Sequence, residues 1–272
     1  MHQEYMLPPG EPARLRERST LPTPEDLRKR QGRKLLAELQ PGLNELQELL
    51  YANGKHSLLI VLQGVDTSGK DGAIKHVVRA FNPQGTHITS FKAPTSVELA
   101  HDYLWRVHRV VPRKGMVGIF NRSHYEDVLI VRVENLVPPE VWQKRYEHIN
   151  AFEKLLADNG TIILKFCLHI SHEEQHKRLS KRLADPTSHW KFDIADITAR
   201  NKWDEYIEAY EAALERCNTP DAPWYIIPAD KKWYRNLVIS RILKDRLQEL
   251  DMDWPPLKEA WQGLTIERLE RS

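Results

Sequence analysis

No stretch of the 272 residues approaches the roughly 18 apolar positions that a membrane-spanning helix needs. The opening segment MHQEYMLPPGEPARLRERST also lacks the apolar centre of a secretory signal. Cysteine is scarce: Cys167 sits in an apolar run and Cys217 near the end of a polar helical stretch, a spacing that suits neither a disulfide framework nor a metal knot. Together these absences lead us to expect a chain that works in a reducing cytoplasm. The 12 histidines include no His-Glu-x-x-His pair, and no Gly-x-Ser-x-Gly elbow occurs, which argues against zinc hydrolysis and serine acyl transfer. No excess of one charge exists either, since 40 Lys and Arg oppose 38 Asp and Glu for a net +2. Bulk electrostatics therefore select neither nucleic acid nor a membrane surface as partner, and any polyanion site must be local.

What is present is enough apolar residue, 41%, for one large core. Residues 1–22 carry four prolines and no apolar periodicity, which predicts an extended arm. Residues 23–255 are expected to form a single domain and 256–272 a tail. Thr23, Pro24 and Asp26 resemble a cap, a first-turn proline and an acidic first turn of a helical layer that Pro41 and Gly42 kink or divide before Tyr51. From Ser57 the pattern turns to SLLIVLQ, too short and β-branched for a buried helix. Further strands are predicted at Thr86–Phe91, Met116–Phe120, Thr161–Leu168 and Trp224–Ile227. Helical spacers are predicted at Lys70–Phe81, Val97–Val110, Pro139–Asn159, Ser171–Leu183, Asp196–Cys217 and Lys232–Leu250. This alternation predicts an α/β fold with a mostly parallel five-stranded sheet flanked by helices.

The strongest local motif is Gly64-Val-Asp-Thr-Ser-Gly-Lys-Asp-Gly72, which follows a predicted strand and opens a predicted helix. In that context a glycine-rich turn wraps backbone N–H groups around phosphate oxygens, the helix N-terminus adds positive potential, and a lysine, here Lys70, reaches the transferred group. Gly69, Asp71 and Gly72 complete the turn, and Lys75 stands one helical turn further on. Asp71 replaces the usual Ser or Thr after the lysine. Asp66, inside the loop, supplies an acidic alternative suited to Mg²⁺, an ion that favours a few carboxylates plus substrate phosphates.

A second cluster, Asn121-Arg-Ser-His-Tyr-Glu-Asp127, ends the third predicted strand, where ligands of open α/β sheets bind. Arg122 suits bridging of phosphates. Glu126 and Asp127 are candidates for a magnesium site or for orienting the acceptor, or else serve as an acidic first turn. Ser171-His-Glu-Glu starts a helix on which Arg178, Lys181 and Arg182 share one face. The aperiodic ADPTSHWKFD at 184–193, with Lys191, follows as a candidate lid, so that the lid spans about 171–200. Near the second strand's end, Lys92, Pro94 and Thr95 are candidates for nucleotide contact, and Asp102 with Arg106 forms an i, i+4 pair.

Taken together, GVDTSGKDG at 64–72, FKAPT at 91–95, HDYLWR at 101–106, FNRSHYEDV at 120–128, HWKF at 189–192 and RNKWDEYIEAYE at 200–211 resemble the second family of polyphosphate kinases. The resemblance covers about Lys34 to Pro255. It implies a thymidylate-kinase-like P-loop fold with a helical lid, and Mg²⁺-assisted phosphoryl transfer between inorganic polyphosphate and adenine nucleotides. By position it implies Asp66 and Asp127 as magnesium carboxylates, and Lys70, Arg122, Arg178, Lys181 and Arg182 as phosphate ligands. Asn121, where many relatives carry Asp or Glu, resembles the subgroup acting on both AMP and ADP. The rival within the same core is an ATP-dependent nucleoside monophosphate kinase. Apolar residues of the N-terminal helices and near Trp254 and Trp261 suit a homo-oligomer interface and suit equally a cover for the sheet; a homo-oligomer is expected.

Overall fold

The computed structural model describes residues 2–23 and 27–261. Five parallel strands form one sheet: β1 (Ser57–Gln63), β2 (Thr86–Ser90), β3 (Val117–Asn121), β4 (Thr161–His169) and β5 (Trp224–Pro228). Their order is β2-β3-β1-β4-β5. Every side chain of β1 is buried, because it lies at the centre of a sheet covered on both faces. The chain leaves β1 for β2 and then β3 on one side and crosses to β4 and β5 on the other, so the crevice at the carboxyl end of β1 is a topological switch point.

The helices are α1 (Lys29–Asn53), α2 (Lys70–Val77), α3 (Ser96–Leu99), α4 (Trp105–His108), α5 (Ile130–Val133), α6 (Pro139–Asp158), α7 (His172–Ala184), α8 (Ile194–Asn201), α9 (Trp203–Arg216) and α10 (Lys232–Gln248). One core layer joins the sheet to α6 and α9 through residues such as Ile149, Phe152, Ile207 and Leu214. The other joins it to α1, α2 and α10 through Leu43, Leu50, Ile74, Val238 and Ile242. No helix among the described residues is long and apolar enough to cross a membrane.

Three predicted helices differ from those observed. The first begins at Lys29, with Arg28 rather than Thr23 preceding it, and Pro24 and Asp26 lie outside the described residues. It also runs undivided through Pro41. Both Pro41 and Ala37, whose carbonyl loses its helical donor there, face solvent. The opposite side of α1 is held against α10, where Gly32 is so close to Trp233 that a Cβ would stand 2.2 Å from the indole. The 97–110 segment splits into α3 and α4 because Asp102 Oδ1 accepts from the N–H groups of Leu104 and Trp105, at 2.9 and 3.1 Å, and caps a new turn. Asp102 therefore does not pair with Arg106, whose guanidinium donates instead to Lys92 O and Glu98. The segment from Asp196 to Cys217 likewise breaks, at Lys202, into α8 and α9.

The proline-rich N-terminal stretch lies along the edge of the sheet. Leu7 N–H donates to Trp224 O, and Ile226 N–H donates to Tyr5 O, so Tyr5 to Leu7 run antiparallel beside β5. Leu7, Ala13 and Leu15 are buried, and Glu215 and Glu211 of α9 accept from the backbone of Ala13 and Leu15.

Candidate active site

The turn after β1 has the shape that closes backbone donors around an anion. Gly69, at φ 102°, and Thr67, at φ 64°, take left-handed conformations, and α2 starts directly at Lys70. Lys70 is buried and its ammonium folds back to donate to Gly64 O at 2.6 Å. Burial, and then the nearby charge of Arg122, pulls its pKa down to about 8, so a phosphate would be a better partner than the carbonyls that hold it. The loop is braced from outside. Tyr210 of α9 accepts from Gly64 N–H at 3.1 Å.

The turn after β3 meets this loop. Arg122, at φ 62°, donates to Asp66 Oδ1 at 2.5 Å and to Glu126 Oε2 at 3.1 Å. Glu126, and then Asp66, hold the guanidinium strongly protonated against burial. Asn121 donates to Asp71 at 2.8 Å, linking the end of β3 to the start of α2. Across the opening, Lys191 of the 184–193 connection stands 3.8 Å from Asp71, and Arg182 of α7 donates to Asp196 of α8 at 3.1 Å.

Two cavities share this junction. The first, of about 820 Å³, is lined by Gly69, Lys70, Asp71, Gly72, Lys92, Asn121, Arg178, Lys181, Arg182, Lys191, Lys232 and Arg235. The second, of about 500 Å³, is walled by Leu129, Ile130, Ile194, Trp203, Tyr206 and Tyr210, with Glu126 and Glu134 at its polar edges. Asp66, Arg122 and Asp196 line both. A cationic trough thus opens, through one carboxylate–guanidinium pair, onto a chamber with aromatic and aliphatic walls. Such a chamber suits a flat heteroaromatic group joined to a phosphate.

The family model described as "Polyphosphate kinase 2 (PPK2)" matches residues 26–254. The chain belongs to the polyphosphate kinase 2 family. A relative from Meiothermus ruber named AMP/ADP-polyphosphate phosphotransferase is 56% identical over 232 residues, 85% of this chain and 87% of that one. An ADP-polyphosphate phosphotransferase of Rhodopseudomonas palustris is 44% identical, the match covering 80% of each chain. The crystal structure of polyphosphate kinase 2 from Arthrobacter aurescens TC1 superposes with a TM-score of 0.91 at 42% identity, covering 99% of this chain and 94% of that one. The parallel sheet with a phosphate loop at its centre is the P-loop kinase architecture of that family.

Among the residues singled out from the sequence, Asp66, Gly69, Lys70, Asp71, Gly72, Lys92, Asn121, Arg122, Arg178, Lys181, Arg182 and Lys191 line the cationic cavity, and Glu126 lines its neighbour. Lys75 is exposed on α2 and lines neither. Pro94 and Thr95 also line neither. Thr95 instead caps α3, accepting from Glu98 N–H while Glu98 accepts from Thr95 N–H. Asp127 lines neither cavity and is ion-paired with Arg145 at 2.8 Å, while burial raises its pKa to about 6. Arg178 is a brace more than a ligand: its donors go to Glu174 and to the carbonyls of Thr67, Ser68, Ala229 and Asp230 at 2.6–3.1 Å.

Sequence reasoning missed Arg235. Its side chain is almost wholly buried at the start of α10, yet Nη1 has no hydrogen-bond partner and lies where a Cβ on Gly69 would stand only 2.0 Å away. Burial, and then Arg178, lowers its pKa to about 10. The available signal was Lys231-Lys232-x-x-Arg235 directly after the last strand, the same position in the βα unit that Lys70 occupies in the first. The aromatic wall was also legible in principle, since Trp203, Tyr206 and Tyr210 fall at i, i+3 and i+7.

Proposed function

We propose that this chain transfers the terminal phosphoryl group of inorganic polyphosphate to AMP and ADP, forming ADP and ATP. The supporting observation is the pair of cavities joined at Asp66 and Arg122: a trough with Lys70, Lys181, Arg182, Lys191, Lys232 and Arg235 suits a chain of phosphates, and the aromatic chamber suits an adenosine. Relatives named for AMP, ADP and polyphosphate support the same donor and acceptors. An ATP donor would need fewer cations along its length.

The donor chain lies over the 64–72 loop and an oxygen of the acceptor's phosphate attacks the terminal phosphorus in line. One P–O bond forms as another breaks, and the shortened polyphosphate leaves. Because the acceptor oxygen is already ionised and phosphoryl transition states are loose, the residues act by placement and charge neutralisation. Lys70 and Arg122 sit at the junction where the transferred group must pass, and Asn121 restrains Asp71 beside them.

The donor set fits Mg²⁺ in part. Among the described residues no group of three or more His, Cys, Asp or Glu converges, so the protein alone offers no closed metal cage. Asp66, which lines both cavities, would hold the ion together with substrate phosphates, in keeping with the ion's chemistry. The ion's chemistry would be to shield charge on the phosphates. Asp127, tied to Arg145, acts by orienting the turn that carries Arg122 and Glu126.

The test is ATP formation from ADP, and ADP plus ATP formation from AMP, with long-chain polyphosphate and Mg²⁺ as the only other reagents. Product from both acceptors is expected. Turnover of AMP with ATP as donor, and none with polyphosphate, would overturn the reading.

A further inference from the structure

Beneath the 121–127 turn lies a charged cluster that the phosphate site does not touch. Lys165 of β4 and Glu153 of α6 are fully buried and paired at 2.6 Å. The remaining donors of Lys165 go to Tyr125 Oη at 2.8 Å and to Cys217 O, at the end of α9, at 2.6 Å. Glu153 Oε1 accepts from Tyr125 Oη at 2.9 Å and from His124 Nε2 at 3.2 Å, which assigns the imidazole proton to Nε2. The rings of Tyr125 and Trp224 stand 5.2 and 5.1 Å from the ammonium. Burial works to raise the Glu153 pKa, but Lys165 and His124 hold it low, so the carboxylate is ionised inside the core.

Such a pair is a poor way to gain stability, because desolvation offsets the attraction and apolar residues of similar volume do as well or better. It does what apolar residues cannot: it fixes the direction of one hydroxyl and one imidazole. Those groups belong to Tyr125 and His124, interleaved in sequence with Arg122, Glu126 and Asp127. The turn is pinned further where Gln63 donates to Ser123 Oγ at 3.1 Å and where Arg122 N–H donates to Leu62 O at 3.1 Å. A left-handed, non-glycine Arg122 needs such over-determination to persist.

We propose that the Lys165–Glu153 pair is a positioning device for phosphoryl transfer: through Tyr125 and His124 it holds Arg122 and Glu126 in register with Asp66 and Lys70. The proposal rests on the reading of Arg122 and Glu126 as groups of the transfer site, so the unaltered chain is assayed alongside. No polyphosphate-dependent ATP from the unaltered chain would sink that reading and this proposal together, whereas loss confined to the variants concerns the cluster alone.

The experiment compares the double substitution Lys165→Met with Glu153→Leu, which replaces the pair by apolar volume, and Tyr125→Phe, which removes only the hydroxyl. In the double variant kcat for ATP formation from ADP should fall roughly 10- to 100-fold, the penalty of a small misplacement. The KM values for ADP and polyphosphate should stay within about twofold. Tyr125→Phe should move kcat in the same direction by about fivefold at unchanged KM. A folded double variant that keeps full kcat overturns the proposal. If the double variant fails to fold, full kcat in Tyr125→Phe overturns it instead.

Discussion

Replacing Arg235 by methionine should act in opposite directions on stability and on substrate use. Arg235 is 1% exposed with Nη1 unpartnered, and Arg178 adds like charge. Burial, and then Arg178, lowers its pKa from the ordinary guanidinium range to about 10. At about 1.4 kcal/mol per tenfold this penalises the charged form by about 3 kcal/mol. The native pKa lies below the unfolded one, so the penalty is fully present at neutral pH and is relieved only as pH rises through about 10. Methionine keeps much of the volume and removes the charge. Allowing for lost packing, a net gain of about 1 kcal/mol, or roughly 2–4 °C, is expected in ligand-free melts. Against this, a charge-assisted hydrogen bond to a phosphate contributes about 1.5–3 kcal/mol, so the KM for polyphosphate should rise roughly 10- to 100-fold. The assay is a thermal melt without ligand together with initial rates across polyphosphate concentration. A lowered melting temperature with an unchanged KM would refute the reasoning.

The neighbouring Arg178→Met should do the reverse, lowering the unfolding free energy measured by urea titration by about 3 kcal/mol, because buried carbonyls of the phosphate loop lose their donors. For Lys70, the native ammonium deprotonates near pH 8 and the unfolded one near 10.5, so ligand-free stability should rise with pH across that window. Denaturant midpoints measured on both sides of pH 8 should show this rise in the unaltered chain and not in Lys70→Met. Asp127→Ala should fold normally near neutral pH yet lose about 100-fold in turnover; a folded, fully active variant would remove Asp127 from the mechanism. In the unaltered chain kcat should decline below about pH 6 as Asp127 protonates and releases Arg145.

The strands were legible to within a residue or so because a central parallel strand leaves no polar face: SLLIVLQ has one reading once Gly64 stops it. The loop at 64–72 was legible for a related reason, since glycine, lysine and helix start occur together only where a backbone must approach an anion closely. Helix boundaries were less so. Pro41 sits on a solvent-facing position of α1, where a missing donor costs little, and only the contact with α10 reveals that the helix continues. At the site, residue type told less than neighbourhood. Arg178, singled out as a phosphate ligand, donates to backbone carbonyls, whereas Arg235, which the sequence reading passed over, points an unpartnered nitrogen at Gly69. Asp127 read as a candidate for a magnesium site, for orienting the acceptor or for an acidic first turn, and its ion pair with Arg145, eighteen positions on, is a fold contact that no local pattern encodes.

The N-terminal strand-like pairing beside β5 also bears on how copies of this chain can associate. An exposed edge strand is a template for further strands, and a sheet with two exposed edges can grow without limit. Here Tyr5 to Leu7 cover one edge, leaving β2 as the exposed edge strand among the described residues. Association through β2 would consume that edge in both partners at once. A pair formed in this way closes on a two-fold axis.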